Sequence, residues 1–298
     1  MLNLPYLSPS SIALWQKNQE EFYVKYASKR PREPQTDAMS VGSAFDTFIK
    51  AELGQLSNEE RADLYVKQVE PQWREQAEEW GEANMSLYRE CGALDDLRAD
   101  FKSCGGTGVK LDIEGDITAN VGGVPMRGKP DIVFTSEIGH GILDWKVNGY
   151  LSKWGASPKA GYLRLRGGKG NGGCHKNVIP VKWRNDIIIG GVLEHVALDW
   201  AQQLAIYGWL SGFPIGEEFL VCIDQLVWRK GAGRVAEFRC VISPEWQRRF
   251  YEEICTIWEI VTSDHVFRSL SKQESQEREG VLSLTLSAED LASLKEVL

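Results

Sequence analysis

Residues 126–150 read MRGKPDIVFTSEIGHGILDWKVNGY. Ile132, Val133 and Phe134 form one apolar run. Gly141 to Val147 form a second, and SEIGHG supplies turn chemistry between them. The pattern predicts two neighbouring strands. Side chains alternate faces along a strand, so Asp144 and Lys146 project to the same side. If the strands pair, Asp131 joins them, which puts two carboxylates and an amine at one point on a sheet. Carboxylate oxygens favour a hard divalent cation such as Mg²⁺. Such an ion polarises a phosphate and generates a hydroxide, and a lysine beside it orients or deprotonates the water and stabilises developing charge.

The 298 residues suit one large domain, or one domain with a helical elaboration, and 43% apolar content supports a packed core. No apolar run is long enough to predict a transmembrane helix. MLNLPYLSPSS has neither a basic start nor a long apolar core, so no secretory signal is expected. Six cysteines are scattered without a C-x-x-C pair, which fits a reducing cytoplasm and argues against zinc. The net charge of −8 argues against a nonspecific nucleic-acid binder. That average hides an asymmetry: residues 152–184 contain no acid and carry Lys153, Lys159, Arg164, Arg166, Lys169, Lys176, Lys182 and Arg184. These side chains would neutralise phosphates, and Trp154, Tyr162 and Trp183 could stack on exposed bases.

Ser8-Pro9 predicts the start of a helix running through SSIALWQKNQEEFYVKYASK, and a second helix begins near Met39. Residues 57–101 read as further helix, with Trp73, Trp80 and Leu87 as inward candidates. Residues 109–147 read as a three-stranded meander: VKLDIEGDI, VGGVPMRGKPDIVF and GILDWKV. GGVLEHVALDWAQQLAIYGWLSG reads as one helix closed by Gly212 and Pro214. FLVCIDQLVWRK and RVAEFRCVI predict a strand pair joined at GAG. Ser243-Pro244-Glu245 opens another helix, and a short final helix is capped by Ser287. The order predicts an α/β fold with a mixed central sheet flanked by helices.

Pro130-Asp131 followed by Asp144-Trp145-Lys146 resembles the PD-(D/E)XK nuclease superfamily. Gly42-x-x-x-Asp46 on the second helix and Gln203-x-x-x-Tyr207 after the Asp144–Lys146 strand fall in the order of the RecB-type and phage recombination exonuclease branch. The resemblance implies a restriction-endonuclease-like core spanning residues 1–298 as a single nuclease domain. Its parts would be a helical N-terminal part (8–101), a catalytic sheet (109–147), a basic Gly-rich insertion (152–184) and a C-terminal helical part (243–298). It implies a metal-dependent deoxyribonuclease, with exonuclease favoured over endonuclease. Asp131, Asp144 and the Trp145 carbonyl would hold Mg²⁺ or Mn²⁺, and Lys146 would serve the attacking water. Asp46 stands where the branch often has a metal-holding histidine, so it reads equally as a ligand and as a solvated helix Asp. Gln203 and Tyr207, at i, i+4 on one helix face, would border the DNA; Gln202 takes the place of Gln203 if the helix phase differs. Some relatives carry an iron–sulfur cluster on a tight C-terminal cysteine group. That group is missing here, so no cluster is expected. GGKGNGG lacks a following Ser or Thr in P-loop register, so no ATP is expected either. The implied partner is DNA, with a helicase or a single-strand annealing protein as further candidates. No membrane is implied, an oligomer is allowed, and the setting would be cytoplasmic, or host cytoplasm if phage-encoded. The second hypothesis is a non-catalytic DNA-binding or interaction module on the same fold, and the third a nuclease subunit of a larger complex.

Overall fold

The computed structural model describes residues 4–27, 34–103, 109–111, 116–136, 139–148, 189–195, 198–229 and 232–263. The chain forms two compact units: residues 1–32, 117–128 and 248–298, and residues 33–116 and 129–247. Among the described residues no helix is long and apolar enough to cross a membrane.

In the first unit the expected N-terminal helix is two helices, α1 (Pro9–Lys17) and α2 (Gln19–Ala27). Asn18 is the break: its backbone is extended, and its Oδ1 accepts a hydrogen bond from the Glu21 N–H at 3.1 Å. One asparagine thus ends a helix and caps the next. Strands β2 (Ile117–Val121) and β3 (Val124–Gly128) form a separate antiparallel hairpin. The three-strand meander is therefore not what forms. Gly122 and Gly123, at φ 58° and 107°, provide the left-handed turn that a two-residue hairpin requires. Pro130 then ends the run: it offers no N–H to a ladder and holds Lys129 extended.

The second unit is mixed α/β, with helices flanking a mixed sheet. Its helices are α3 (Asp37–Gly54), α4 (Asn58–Gln68), α5 (Arg74–Glu90), α6 (Ala93–Ser103) and α7 (Leu198–Leu210). Its strands are β1 (Val109–Leu111), β4 (Ile132–Ser136), β5 (Gly139–Asn148), β6 (Ile189–Val192), β7 (Phe219–Arg229) and β8 (Ala232–Ile242). The spatial order is β1-β4-β5-β7-β8-β6. The β4/β5 and β7/β8 pairs are antiparallel and β5/β7, the central pair of the sheet, is parallel. The short β1 and β6 are its edges.

GGVLEHV does not start the α7 helix as expected. Its first residues pair with β8 as β6, a short 3₁₀ turn at Leu193–His195 follows, and α7 begins at Leu198. Gly212, at φ 92°, closes α7 through Phe213 N–H to Gly208 O and Gly212 N–H to Trp209 O. The β7/β8 pair and the helix α8 (Pro244–Thr262) fall where the sequence puts them.

Thr36 caps α3, which buries Val41, Ala44, Phe45, Phe48 and Ile49. Gly81 lets α5 approach: a Cβ there would lie 2.7 Å from the Phe48 ring. Trp73 and Leu87 are half-buried but pack against the core as expected, Trp80 is half-buried, and Ala77, Met85 and Tyr88 are the fully buried residues of α5's inward face. Together with Leu143, Trp145, Cys222, Leu226 and Val235 from the sheet, these residues form the main core. The opposite face of β5 meets α7.

Candidate active site

Every described residue of the expected site lies in the second unit. The β4/β5 register places Ile132 opposite Leu143, Val133 opposite Ile142 and Phe134 opposite Gly141. One step further along that register, Asp131 falls opposite Asp144. The ladder stops there, and the Asp131 side chain takes over: its Oδ2 accepts the Trp145 backbone N–H at 2.9 Å. A carboxylate is thus substituted for a backbone carbonyl at the point where Pro130 ends the pairing. Directly opposed residues in an antiparallel pair share a face, so Asp131 and Asp144 belong to one cluster.

Asp144 is 3% exposed because β5 is an interior strand. Its Oδ2 lies 2.5 Å from Lys146 Nζ but accepts no hydrogen bond with acceptable geometry. Lys146 donates to Gln203 Oε1 at 2.8 Å and lies 5.6 Å from the centroid of the Trp200 ring. An ammonium can only donate, so the Gln203 carbonyl must face Lys146 and its amide nitrogen must face away. That nitrogen donates to the Tyr207 hydroxyl at 2.8 Å. The Lys129 backbone N–H also donates to this hydroxyl. Burial, reinforced by the charge of Asp144, pushes the Tyr207 phenol well above its ordinary range. The helix phase therefore selects Gln203 rather than Gln202, which is buried.

Asp46 is not the solvated helix Asp of the second expectation. Its side chain is 18% exposed, and its oxygens lie 2.8 and 3.0 Å from Lys50 Nζ. In the amide orientation that satisfies both its ends, Gln68 also donates to Asp46 Oδ2, at 3.1 Å. Lys50 was not among the sequence candidates. It is 1% exposed and reaches Asp131 Oδ1 at 3.9 Å. The signal was its i, i+4 spacing from Asp46, easily read as a surface ion pair.

Burial raises the Asp131 pKa to about 7, with the charges of Asp144 and then Asp46 adding to the effect; Lys50 and the Trp145 N–H oppose it. Three carboxylates sit close enough to resist ionising together.

A second network lies behind the strand. Trp145 projects to the face opposite Asp144 and packs edge-on against Phe45. Its indole N–H donates to the Tyr88 hydroxyl at 3.4 Å, and that hydroxyl donates to Asp224. Arg239 donates to the other Asp224 oxygen at 2.8 Å. Asp224 pairs with Trp145 in the β5/β7 register. None of Tyr88, Asp224 and Arg239 was a sequence candidate, since nothing local marks them.

Among the described residues, no three His, Cys, Asp or Glu side chains converge into a group that would hold a metal by itself. Mg²⁺ does not need one: it is usually held by one or two carboxylates, with water and phosphate completing its shell. Asp131 and Asp144 suit such a site, since Asp144 Oδ2 is buried and accepts no hydrogen bond. An all-oxygen donor set also suits Mg²⁺ or Mn²⁺ rather than softer ions. The basic residues Lys153, Arg164, Arg166, Lys169, Lys176 and Arg184 lie outside the described residues, as does the Ser287 helix. Comparison with known proteins finds no matching family model, curated protein or solved structure.

Proposed function

We propose that the chain is a Mg²⁺-dependent DNA nuclease with a restriction-endonuclease-like core, acting as an exonuclease. The observation that carries this reading is the placement of Asp131 one register step beyond β4, opposite Asp144, on the face to which Lys146 projects. The metal would supply Lewis-acid activation of a phosphodiester and of water. Asp131 and Asp144 would hold it, with the Trp145 carbonyl. Lys146, kept in place by Gln203, would hydrogen-bond the attacking water and stabilise charge developing on the phosphate. Tyr207 accepts from both Gln203 and Lys129, so its own proton is directed away from them, ready for a phosphate oxygen. The basic stretch 152–184 would follow the DNA backbone.

One observation favours a second reading, a DNA-binding subunit that needs a helicase or annealing partner: Lys50 already compensates part of the carboxylate cluster without metal. The test is cleavage of end-labelled linear DNA and covalently closed circles, single- and double-stranded, in Mg²⁺ or EDTA, by wild type and Lys146→Ala. Loss of linear DNA only, dependent on Mg²⁺ and on Lys146, is expected. Cutting of closed circles would convert the reading to endonuclease. DNA binding without cleavage in Mg²⁺ or Mn²⁺ would favour the partner-dependent subunit.

A further inference from the structure

We infer that Lys50 is a resident cation that fills the place of a second metal, so that the cluster takes one divalent ion and not two. This inference rests on the metal-dependent reading above and deepens it. A lysine so fully buried is unusual, and its ammonium sits among carboxylates rather than reaching solvent. It touches both Asp46 oxygens and reaches Asp131, the residue that joins Asp46 to the Asp131–Asp144 pair.

The charges set the stoichiometry. Asp46, Asp131 and Asp144 contribute three negative charges; Lys50 and Lys146 return two positive ones. One divalent ion brings the cluster to one positive charge, and one phosphodiester then neutralises it. A second ion would add two uncompensated charges to a cluster whose Lys50 and Asp144 are buried and whose other members are only partly exposed, where such an excess is costly. Asp46 Oδ1 supports the same conclusion. It is buried, accepts no hydrogen bond, and has Lys50 in ion contact at 2.8 Å. If the ammonium is removed, this oxygen and Asp131 are left as a pair of donors for an ion.

The test is Mn²⁺ titration of the DNA-free protein by calorimetry and electron paramagnetic resonance, comparing wild type with Lys50→Gln, which keeps a donor for Asp46. One ion on wild type and two on Lys50→Gln is the expected result. Should Lys50→Gln fail to fold without metal, Mn²⁺ is expected to restore its thermal transition, the ion replacing the lost ammonium. Two ions on wild type, one ion on a folded Lys50→Gln, or a variant that Mn²⁺ cannot refold would overturn the inference and leave the nuclease reading intact. No ion on wild type would instead remove the nuclease reading itself.

Discussion

Two polar networks hang from adjacent residues of β5 and face opposite ways. Behind the strand, Trp145, Tyr88, Asp224 and Arg239 form a set in which both Asp224 oxygens have donors, beside the buried Glu237 opposite Asp224 on β8. In front, Asp144, Lys146, Gln203 and Tyr207 form an open set, with a buried carboxylate oxygen that is in ion contact with Lys146 at 2.5 Å but accepts no hydrogen bond. The two sets use the same kinds of groups. In a buried setting a satisfied network stiffens the fold, whereas an unsatisfied one keeps affinity for something not yet bound. The back network holds Trp145, and Trp145 donates its backbone N–H to Asp131. Rigidity on one face is thus transmitted to the geometry of the other.

The comparison is broken most severely at the front. Asp131→Asn and Asp144→Asn are each expected to reduce Mg²⁺-dependent DNA cleavage by about 10³-fold or more, since each removes a charged ligand. Neither is expected to unfold the metal-free protein, because each relieves carboxylate repulsion. Cleavage kinetics and urea melts on the same preparations check both halves.

At the back the outcome reverses. Arg239→Met leaves Asp224 buried and uncompensated, and is expected to cost roughly 3–5 kcal/mol of stability. Replacing both partners, as in Asp224→Leu with Arg239→Met, is expected to cost much less. Urea denaturation of the single and double variants measures the difference. Equal losses would show that the unpaired Asp224 charge is not the source of the cost.

The raised pKa of Asp131, about 7, gives a pH signature. A carboxyl whose folded pKa lies above its unfolded value favours the fold below the unfolded pKa. That contribution fades as pH rises from about 4 through about 7, with a ceiling of roughly 4 kcal/mol. The stability difference between Asp131→Asn and metal-free wild type is therefore expected to grow over that window. Mg²⁺ is expected to stabilise wild type more at pH 8 than at pH 5.5. Thermal melts with Mg²⁺ or EDTA across this range provide the check.

The smallest change is at the link between the faces. Tyr88→Phe removes the donor to Asp224 and the acceptor of the Trp145 indole, and is expected to cost about 1–3 kcal/mol. A modest fall in cleavage should accompany it, through displacement of Trp145.

The front network was largely legible in the sequence because its logic is local. Alternation put Asp144 and Lys146 on one side, turn chemistry brought Asp131 alongside, and i, i+4 spacing aligned Gln203 with Tyr207. The back network was not, because Tyr88 and Asp224 are 136 positions apart and each looks ordinary where it stands. Lys50 was missed for a different reason: a lysine four residues from an aspartate on a helix normally describes a solvated pair, and only tertiary packing buries this one. The same applies to β2 and β3, whose Gly-Gly turn is visible in the sequence but sits inside a run that reads as one longer strand. Asn18 was overlooked because one side chain ends one helix and starts the next.

The most direct test of the open front network is the anomalous diffraction of a crystal soaked in Mn²⁺. The expected map has one peak within coordination distance of both the Asp131 and Asp144 carboxylates. A map with no peak there, or with Mn²⁺ bound only elsewhere, would contradict the account.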